Sequence, residues 1–533
     1  MNEKKIKQKL PRYEMHKYWG KKPYKDLEKL ILKYSKKGDI VFDPFAGYGV
    51  FLSEALLNER NVIGNDLNPF SNFIMKELLN SNVDIDLFNY TINEINNKLK
   101  EKYKKWYISK CKRCGLENKI IASLRNKDDT KIINKVKCSC SKETIQDELT
   151  KEEIILFLDK EKQATIIEHP FNSIMKNSRI GAKEGMTTDD LFTKRSLMCH
   201  SALFDKINEI EDEGVKNLAK LAFTANLANC SKLVPPIKTR GSLSPGAWMT
   251  GFYIANEYLE QNVFHYFENR IKKIVSGKND FYNELILKDI KSRETKFIDF
   301  NDDFTSFLIL NQDAKKLSLE DNSIDYIFTD PPYGDTIPYF EQSIIWNTWL
   351  GFEVDYDNEI VISDSKERNK KIENFKNDIK SSIDECYRVL KDNSYFSLTF
   401  SSLSGAEWYA LTSSCLQAGF VLEDLSLIIQ KSFSPRQINK KTSIKGDILL
   451  TFRKEKPKKI ININLEDTKK HIFNIVIEEL SISKATTTHL YEKILRSLFE
   501  KNILFSEIDI LKEISINFQM DLDGYWVKIE EIK

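Results

Sequence analysis

Residues 39–66 restrict this chain to a narrow group of folds. An apolar run, Asp39-Ile40-Val41-Phe42, leads into Asp43-Pro44-Phe45-Ala46-Gly47-Tyr48-Gly49. A helical stretch from about Val50 to Asn58 carries Phe51, Leu52, Ala55 and Leu56, and a second apolar run, Asn61-Val62-Ile63-Gly64, ends on Asp66. Strand, glycine turn, helix, strand and acid in that order build a parallel, doubly wound sheet, because parallel neighbours need a crossover and a helix supplies it. Gly47 and Gly49 permit positive φ and lack the Cβ that would hold a ligand off the backbone. The following helix turns its positive end toward the same place. The dinucleotide fingerprint GxGxxG is absent, since Gly47-Tyr48-Gly49 is followed by Val50-Phe51-Leu52. Asp66 stands where an acid holds ribose hydroxyls, a geometry that serves any adenosine-containing ligand.

Upstream, Leu27, Leu30, Ile31 and Tyr34 predict a helix over residues 24–35. The expected third strand is delayed by a segment from about 83 to 300. The sheet pattern resumes at Phe307-Leu308-Ile309-Leu310 and ends at Asn311-Gln312-Asp313-Ala314. Asp313 can accept from a ligand's amino group or cap the next helix. Further strands are expected at 324–328, 395–400, 421–429 and 447–452, with helices near 367–390 and 405–418. The Lys-rich stretch 453–459 with Pro457 reads as a linker, followed by a small region with helices at about 467–480 and 488–502.

The strand Ile324-Asp325-Tyr326-Ile327-Phe328 delivers Thr329-Asp330-Pro331-Pro332-Tyr333-Gly334. A carboxylate and a backbone carbonyl at one strand tip can accept both hydrogens of an exocyclic amine, freeing a lone pair otherwise delocalised into the base. Two prolines fix the carbonyl's direction and add no competing donor, and Tyr333 offers a face for stacking. A base inside a duplex must be extruded to reach such a site. The plain alternative is a Pro-Pro turn after a strand.

Taken together, Asp43–Gly49 and Asp330–Tyr333 resemble the cofactor loop and catalytic tetrad of amino-methylating DNA methyltransferases, the N6-adenine and N4-cytosine enzymes. His16-Lys17-Tyr18-Trp19-Gly20-Lys21-Lys22-Pro23 is similar to the segment these enzymes lay over the methionine end of S-adenosylmethionine. The resemblance spans roughly 12–80 and 305–455, and extends to zinc-ribbon-bearing members. It implies an α/β, Rossmann-like sheet split by a zinc-binding and helical insertion, with a small C-terminal domain. It implies S-adenosylmethionine at Lys22, Pro23, Asp43, Phe45, Gly47, Gly49, Asp66 and Asp313, and catalysis by Asp330, Pro331, Pro332 and Tyr333. The domains expected are 1–82 and 301–456 (methyltransferase core), 83–150 (zinc ribbon), 151–300 (helical, target recognition) and 460–533. The insertion begins after the second strand, earlier than in the subgroup with this motif order. By the family pattern Asp at 330, rather than Ser, favours adenine, although cytosine-N4 enzymes also carry Asp.

Cys111-Lys112-Arg113-Cys114-Gly115 is a knuckle-like turn, and Cys138-Ser139-Cys140 supplies two more thiolates, enough for a tetrahedral structural Zn2+. Unliganded or redox-active thiols are the alternative. Eight cysteines in a chain of 533 residues, with no apolar stretch after the charged amino terminus, predict a cytoplasmic protein without a disulfide framework. No apolar run approaches the ~20 residues of a membrane span. The net charge of +2 neither demands nor excludes nucleic acid.

Basic residues Lys102, Lys104, Lys105, Lys110, Lys112 and Arg113, interleaved with Trp106 and Tyr107, form one candidate phosphate-tracking face. Arg195, Lys232, Lys238 and Arg240 are candidates for DNA contact in the insertion, and Arg436, Lys440, Lys441 and Lys445 form a second basic loop. Solvated charge is the competing reading for each. Trp346 and Trp349 belong to a base pocket or to the core; Cys199, His200 and Cys230 are expected to be buried. The leading expectation is adenine-N6 methylation of double-stranded DNA in restriction–modification or phage defence, with possible partner subunits. Alternatives are cytosine-N4 methylation, tRNA guanine-N2 methylation, and a non-catalytic zinc-bearing DNA-binding subunit. The tRNA enzymes usually carry an amino-terminal RNA-binding domain, and about forty residues before Asp43 are too few for one.

Overall fold

The computed structural model describes residues 10–141, 144–241, 243–296, 303–402, 404–428, 446–456 and 458–529. The basic loop Arg436, Lys440, Lys441 and Lys445 lies outside the described residues, as does Pro457 of the expected linker.

Eight strands form the central sheet: β1 Ile40–Asp43, β2 Asn61–Asn65, β3 Ser292–Glu294, β4 Thr305–Leu310, β5 Ile324–Thr329, β6 Leu390–Phe400, β7 Phe420–Ile428 and β8 Asp447–Lys454. Their spatial order is β7-β8-β6-β5-β1-β2-β4-β3. Pairing is parallel except that β8 runs antiparallel to both β6 and β7. Chain order reverses between β1 and β5, which opens the crevice where doubly wound sheets hold ligands.

Alternate residues on each strand enter opposite hydrophobic layers, as expected of strands covered on both faces. Val41, Val62, Phe307 and Tyr326 pack into one layer with the helices Tyr24–Tyr34 (α1), Val50–Leu56 (α2) and Pro69–Leu79 (α3). Phe42, Ile63, Leu308 and Ile327 enter the other with Ile372–Val389 and Gly405–Ala418. Trp346 and Trp349 are core residues of the first layer, at 1% and 2% exposure. The short edge strand β3 was not anticipated; three residues with one buried side chain carry too little pattern to read.

The insertion packs on the first layer. Its strands Ile108–Lys110, Glu117–Asn126, Ile132–Lys137 and Ile145–Glu148 form an antiparallel sheet. Helices Lys194–Asn208, Glu213–Leu227 and Val263–Leu287 follow the helical periodicity. Within the segment 151–300, expected to be helical, residues Glu257–Gln261 instead form a strand, which pairs antiparallel with Glu117–Asn126 and completes the small sheet. The helix begins only after Asn262, whose side chain caps the His265 amide. One sheet thus runs across the 83–150 and 151–300 segments.

Residues 458–529 cover the opposite layer. Helices Leu465–Ile482 and Thr487–Glu500 place Val476, Leu490, Tyr491 and Leu495 in it. Phe499 meets Phe452 edge-on at 5.0 Å, and the Arg496 guanidinium donates to the Leu425 carbonyl. Among the described residues no helix is long and apolar enough to cross a membrane.

Candidate active site

The loops after β1, β2, β4 and β5 meet at one cavity of about 930 Å³, its open mouth included. Lys22, Asp43, Phe45, Gly47, Asp66, Asp313, Asp330 and Pro332 all line it, so the two distant motifs share one space. Pro331 lies between two lining residues, and Tyr333 stands behind Asp330. Pro23 caps α1 and Gly49 caps α2. Gly49 is needed there: its φ is 84°, and a Cβ would sit 2.9 Å from Met75 Cγ. Gly47 has φ 53°, with the Tyr18 ring 3.3 Å from where its Cβ would be.

Hydrogen bonds across strand ends hold the loops in place. The buried Asn65 amide donates to the carbonyls of Pro44 and Gln312 and accepts from the Gln312 amide, tying the ends of β1, β2 and β4. Thr329 Oγ1 donates to Asp43 Oδ1 at 2.9 Å, joining β1 to β5. Burial raises Asp43 to about 8, although the Phe45 amide and Thr329 hydroxyl oppose it. Asp66 Oδ2 accepts from the Gly47 amide at 3.0 Å, with Ser71 Oγ 2.9 Å away, while Oδ1 accepts from the Asn68 amide. One lone pair of Oδ1 is left for a ligand hydroxyl. Asp313 Oδ1 accepts from the Lys315 amide and so also begins a turn.

Asp330 is asymmetrically engaged. Its Oδ1 takes Lys22 Nζ at 2.9 Å, Thr399 Oγ1 at 2.7 Å and the Tyr333 hydroxyl. Its Oδ2 accepts from no described residue and faces Gly20, whose Cβ, if present, would lie 3.3 Å away. Burial raises the Asp330 pKa and Lys22 opposes that, while Asp447 adds to it. Burial also works against the Lys22 charge, but Asp330 and Asp447 outweigh it and hold the ammonium above its ordinary value. Lys22 reaches Asp447 Oδ2 at 2.7 Å and the Tyr333 hydroxyl at 3.1 Å besides Asp330. With three donors so committed, none is left for a ligand carboxylate.

Asn65, Thr399 and Asp447 are site residues that sequence reading did not single out. Gly20 and Thr329 stand inside the quoted segments 16–23 and 329–334 and so had a local signal; Asn65, Thr399 and Asp447 act through partners far away in the chain.

The four cysteine sulfurs lie within 4.8 Å of one another. Cys114 and Cys138 are 3.5 Å apart, and Cys111 and Cys140 are 3.8 Å apart. Gly115, at φ 70°, closes the first turn. Four converging thiols with tetrahedral spacing suit Zn2+, whose ~2.3 Å bonds to sulfur demand such distances. The flanking basic residues are partly spoken for: Lys112 pairs with Asp147 at 3.0 Å, and Tyr107 is buried. Arg195, expected at a DNA surface, is buried, its guanidinium 2.8 Å from Glu260. Glu260 comes from the unforeseen strand Glu257–Gln261. Lys238 and Arg240 are exposed, whereas Lys232 is half-buried. Cys199, His200 and Cys230 are buried.

A Rossmann-like sheet with this strand order and this cavity has the methyltransferase fold. The chain is similar to the amino-methylating DNA methylases: a family model described as DNA methylase matches residues 2–76 and 324–501. It is 24% identical to the type II methyltransferase M.MjaII of Methanocaldococcus jannaschii over 355 residues, 62% of this chain and 60% of that protein. The chain thus spans less than two thirds of that relative. A 60-residue stretch is 38% identical to a tRNA (guanine(37)-N(1))-methyltransferase of Saccharomyces cerevisiae, covering 11% of this chain and 12% of that one. Among solved structures, an S-adenosylmethionine-dependent methyltransferase from Methanosarcina mazei aligns at 10% identity and TM-score 0.17, over 29% of this chain and 70% of that chain. A likeness of that size adds nothing to the topology.

Proposed function

We propose that this chain methylates an exocyclic amino group of a base in double-stranded DNA, with adenine N6 as the target. The observation that carries the reading is the half-free carboxylate of Asp330 opening on the cavity that also holds the glycine loop. S-adenosylmethionine, when bound, supplies an electrophilic methyl on sulfur. The residues fit it: Gly47 lets it approach the backbone, Asp66 Oδ1 can take a ribose hydroxyl, and Asp313 can accept from the adenine amino group.

Asp330 Oδ2 accepts one hydrogen of the target amine, and the Pro331 carbonyl takes the other. With both hydrogens so held, the nitrogen lone pair would be free to take the methyl that bound S-adenosylmethionine would supply, the carbon–sulfur bond breaking to leave a thioether. The proton shed by the alkylated nitrogen passes to Asp330 Oδ2, whose basicity burial has raised, and from there to water. Lys22, Tyr333 and Thr399 fix the carboxylate from its other oxygen, so no reorganisation is needed during transfer. Lys22 is therefore assigned a positioning role rather than contact with the cofactor. The four cysteines are assigned a structural zinc ion.

Incubation with labelled cofactor and unmethylated duplex, followed by nucleoside analysis, tests this. N6-methyldeoxyadenosine is expected. N4-methyldeoxycytidine would transfer the reading to cytosine, and unlabelled DNA would overturn it. The restriction–modification or phage-defence setting stays part of the proposal, and is checked by whether modified positions share one sequence context.

A further inference from the structure

A second, smaller cavity of about 240 Å³, open space included, lies where the 16–23 segment meets the insertion and the helix Tyr339–Leu350. His16, Lys17, Thr224, Trp248, Arg270 and Trp346 are among its lining residues. Its chemistry is unbalanced. Arg270, on the helix Val263–Leu287, has no carboxylate partner among the described residues, and its buried Nε has no acceptor. Lys17 Nζ rests 4.4 Å from the centroid of the Trp248 ring and likewise meets no described carboxylate. Trp346, 1% exposed, has a buried indole N–H without an acceptor. His16, 3% exposed, has an unpartnered Nε2. Two cations and a buried N–H donor around one small space call for an anion, because each unmet donor costs free energy.

We infer that this cavity is a phosphate-binding subsite, gripped by Arg270, Lys17 and Trp346, that takes a backbone phosphodiester of the DNA strand carrying the target base. The inference rests on the DNA reading above. Its position argues for this source. Lys17 lines the small cavity and Trp19 the large one, and two residues of chain span at most about 7 Å. Likewise Trp346 and Tyr339 belong to one helix and line the small and large cavities respectively. An enzyme that rotates a nucleotide out of the duplex must hold the neighbouring backbone while the base leaves. His16 Nδ1 faces the Lys17 carbonyl at 2.7 Å, so in the neutral ring Nε2 carries the lone pair. An anion beside it would favour the imidazolium, and Nε2 would then donate as well.

Arg270→Ala and Lys17→Ala test the subsite, with Arg270→Lys as the conservative control. Each Ala variant should raise KM for duplex about tenfold with kcat and cofactor binding unchanged, and lower the slope of log affinity against log salt by about 1. Arg270→Lys should recover part of the KM. Variants that bind cofactor normally yet keep the wild-type KM and salt slope would overturn the inference while leaving methylation of DNA intact. The proposed reaction fails separately, if the wild-type protein labels no DNA. In that case a melting-temperature rise with inorganic phosphate, lost in Arg270→Ala, would show an anion site whose ligand is a free phosphate and would overturn the phosphodiester assignment.

Discussion

The Lys22 ammonium stands 2.9 Å from Asp330 Oδ1, joining the 16–23 segment to the tip of β5 across most of the chain. It also leaves Oδ2 as the open face of the carboxylate. Asp330→Ala should lower kcat by at least about 100-fold, the usual cost of losing one preorganised hydrogen-bonding partner, with cofactor binding retained. Lys22→Met should act differently. It removes the ammonium that stands between Asp330 and Asp447, so the Asp330 pKa rises further and the acid limb of the kcat/KM profile moves to higher pH. A profile with an unmoved limb would remove Lys22 from its positioning role.

Gly20 faces the open oxygen. Its φ is 71°, and an added Cβ would lie 3.3 Å from Asp330 Oδ2. Gly20→Ala should therefore reduce kcat about tenfold, equivalent to ~1.4 kcal/mol, beside a melting-temperature loss of about 2–4 °C from the positive φ. Steady-state kinetics beside a thermal melt separates this from general unfolding.

Much of this architecture was legible because it is local. The strand–turn–helix–strand unit at 39–66 and the helix 405–418 carry their periodicity and punctuation within a few residues, and the four cysteines announce themselves by type. What could not be read is what depends on partners. Asn65, Thr329 and Asp447 are ordinary polar residues until neighbouring strands bring Gln312, Asp43 and Lys22 to them. Arg195 looked like a surface cation because its counter-ion, Glu260, lies on a five-residue strand flanked by loop and helix, where alternation is too short to show.

Asp43 makes stability depend on pH. Its ordinary value is 3.8 and burial lifts it to about 8, so between those values the folded chain holds a proton that the unfolded chain has lost. The contribution of this group is thus fully present at low pH and disappears as pH rises through about 8. Asp43→Asn mimics the protonated form and keeps an oxygen for the Phe45 amide and Thr329. It should melt about 2 °C higher than wild type at pH 9, with the gap closing toward pH 5.

Glu260 illustrates the opposite sign. Burial alone would raise its pKa, but Arg195 and Arg125 outweigh burial and hold it below the ordinary carboxylate value. Its stabilising contribution is present above the unfolded value of 4.5 and fades as pH falls below it. Glu260→Ala would leave two buried guanidiniums short of a partner, a loss of about 3–5 kcal/mol. Urea titration at pH 7 should show that loss, and repeating it at acid pH should show the difference shrink.

The four-cysteine cluster sits on the sheet that the strand Glu257–Gln261 completes. Zinc bound there would stabilise strands from two distant stretches of sequence at once. The purified protein should carry about one zinc per chain, and Cys138→Ser should lose most of it, because four-coordinate structural sites tolerate few missing thiolates. Hydrogen exchange then tells a knuckle from a keystone. If the ion organises the whole sheet, amides of both 117–126 and 257–261 exchange faster after chelation, while β1 and β5 of the central sheet keep their protection. Faster exchange confined to residues 111–116 and 138–141 would reduce the ion to a local clasp.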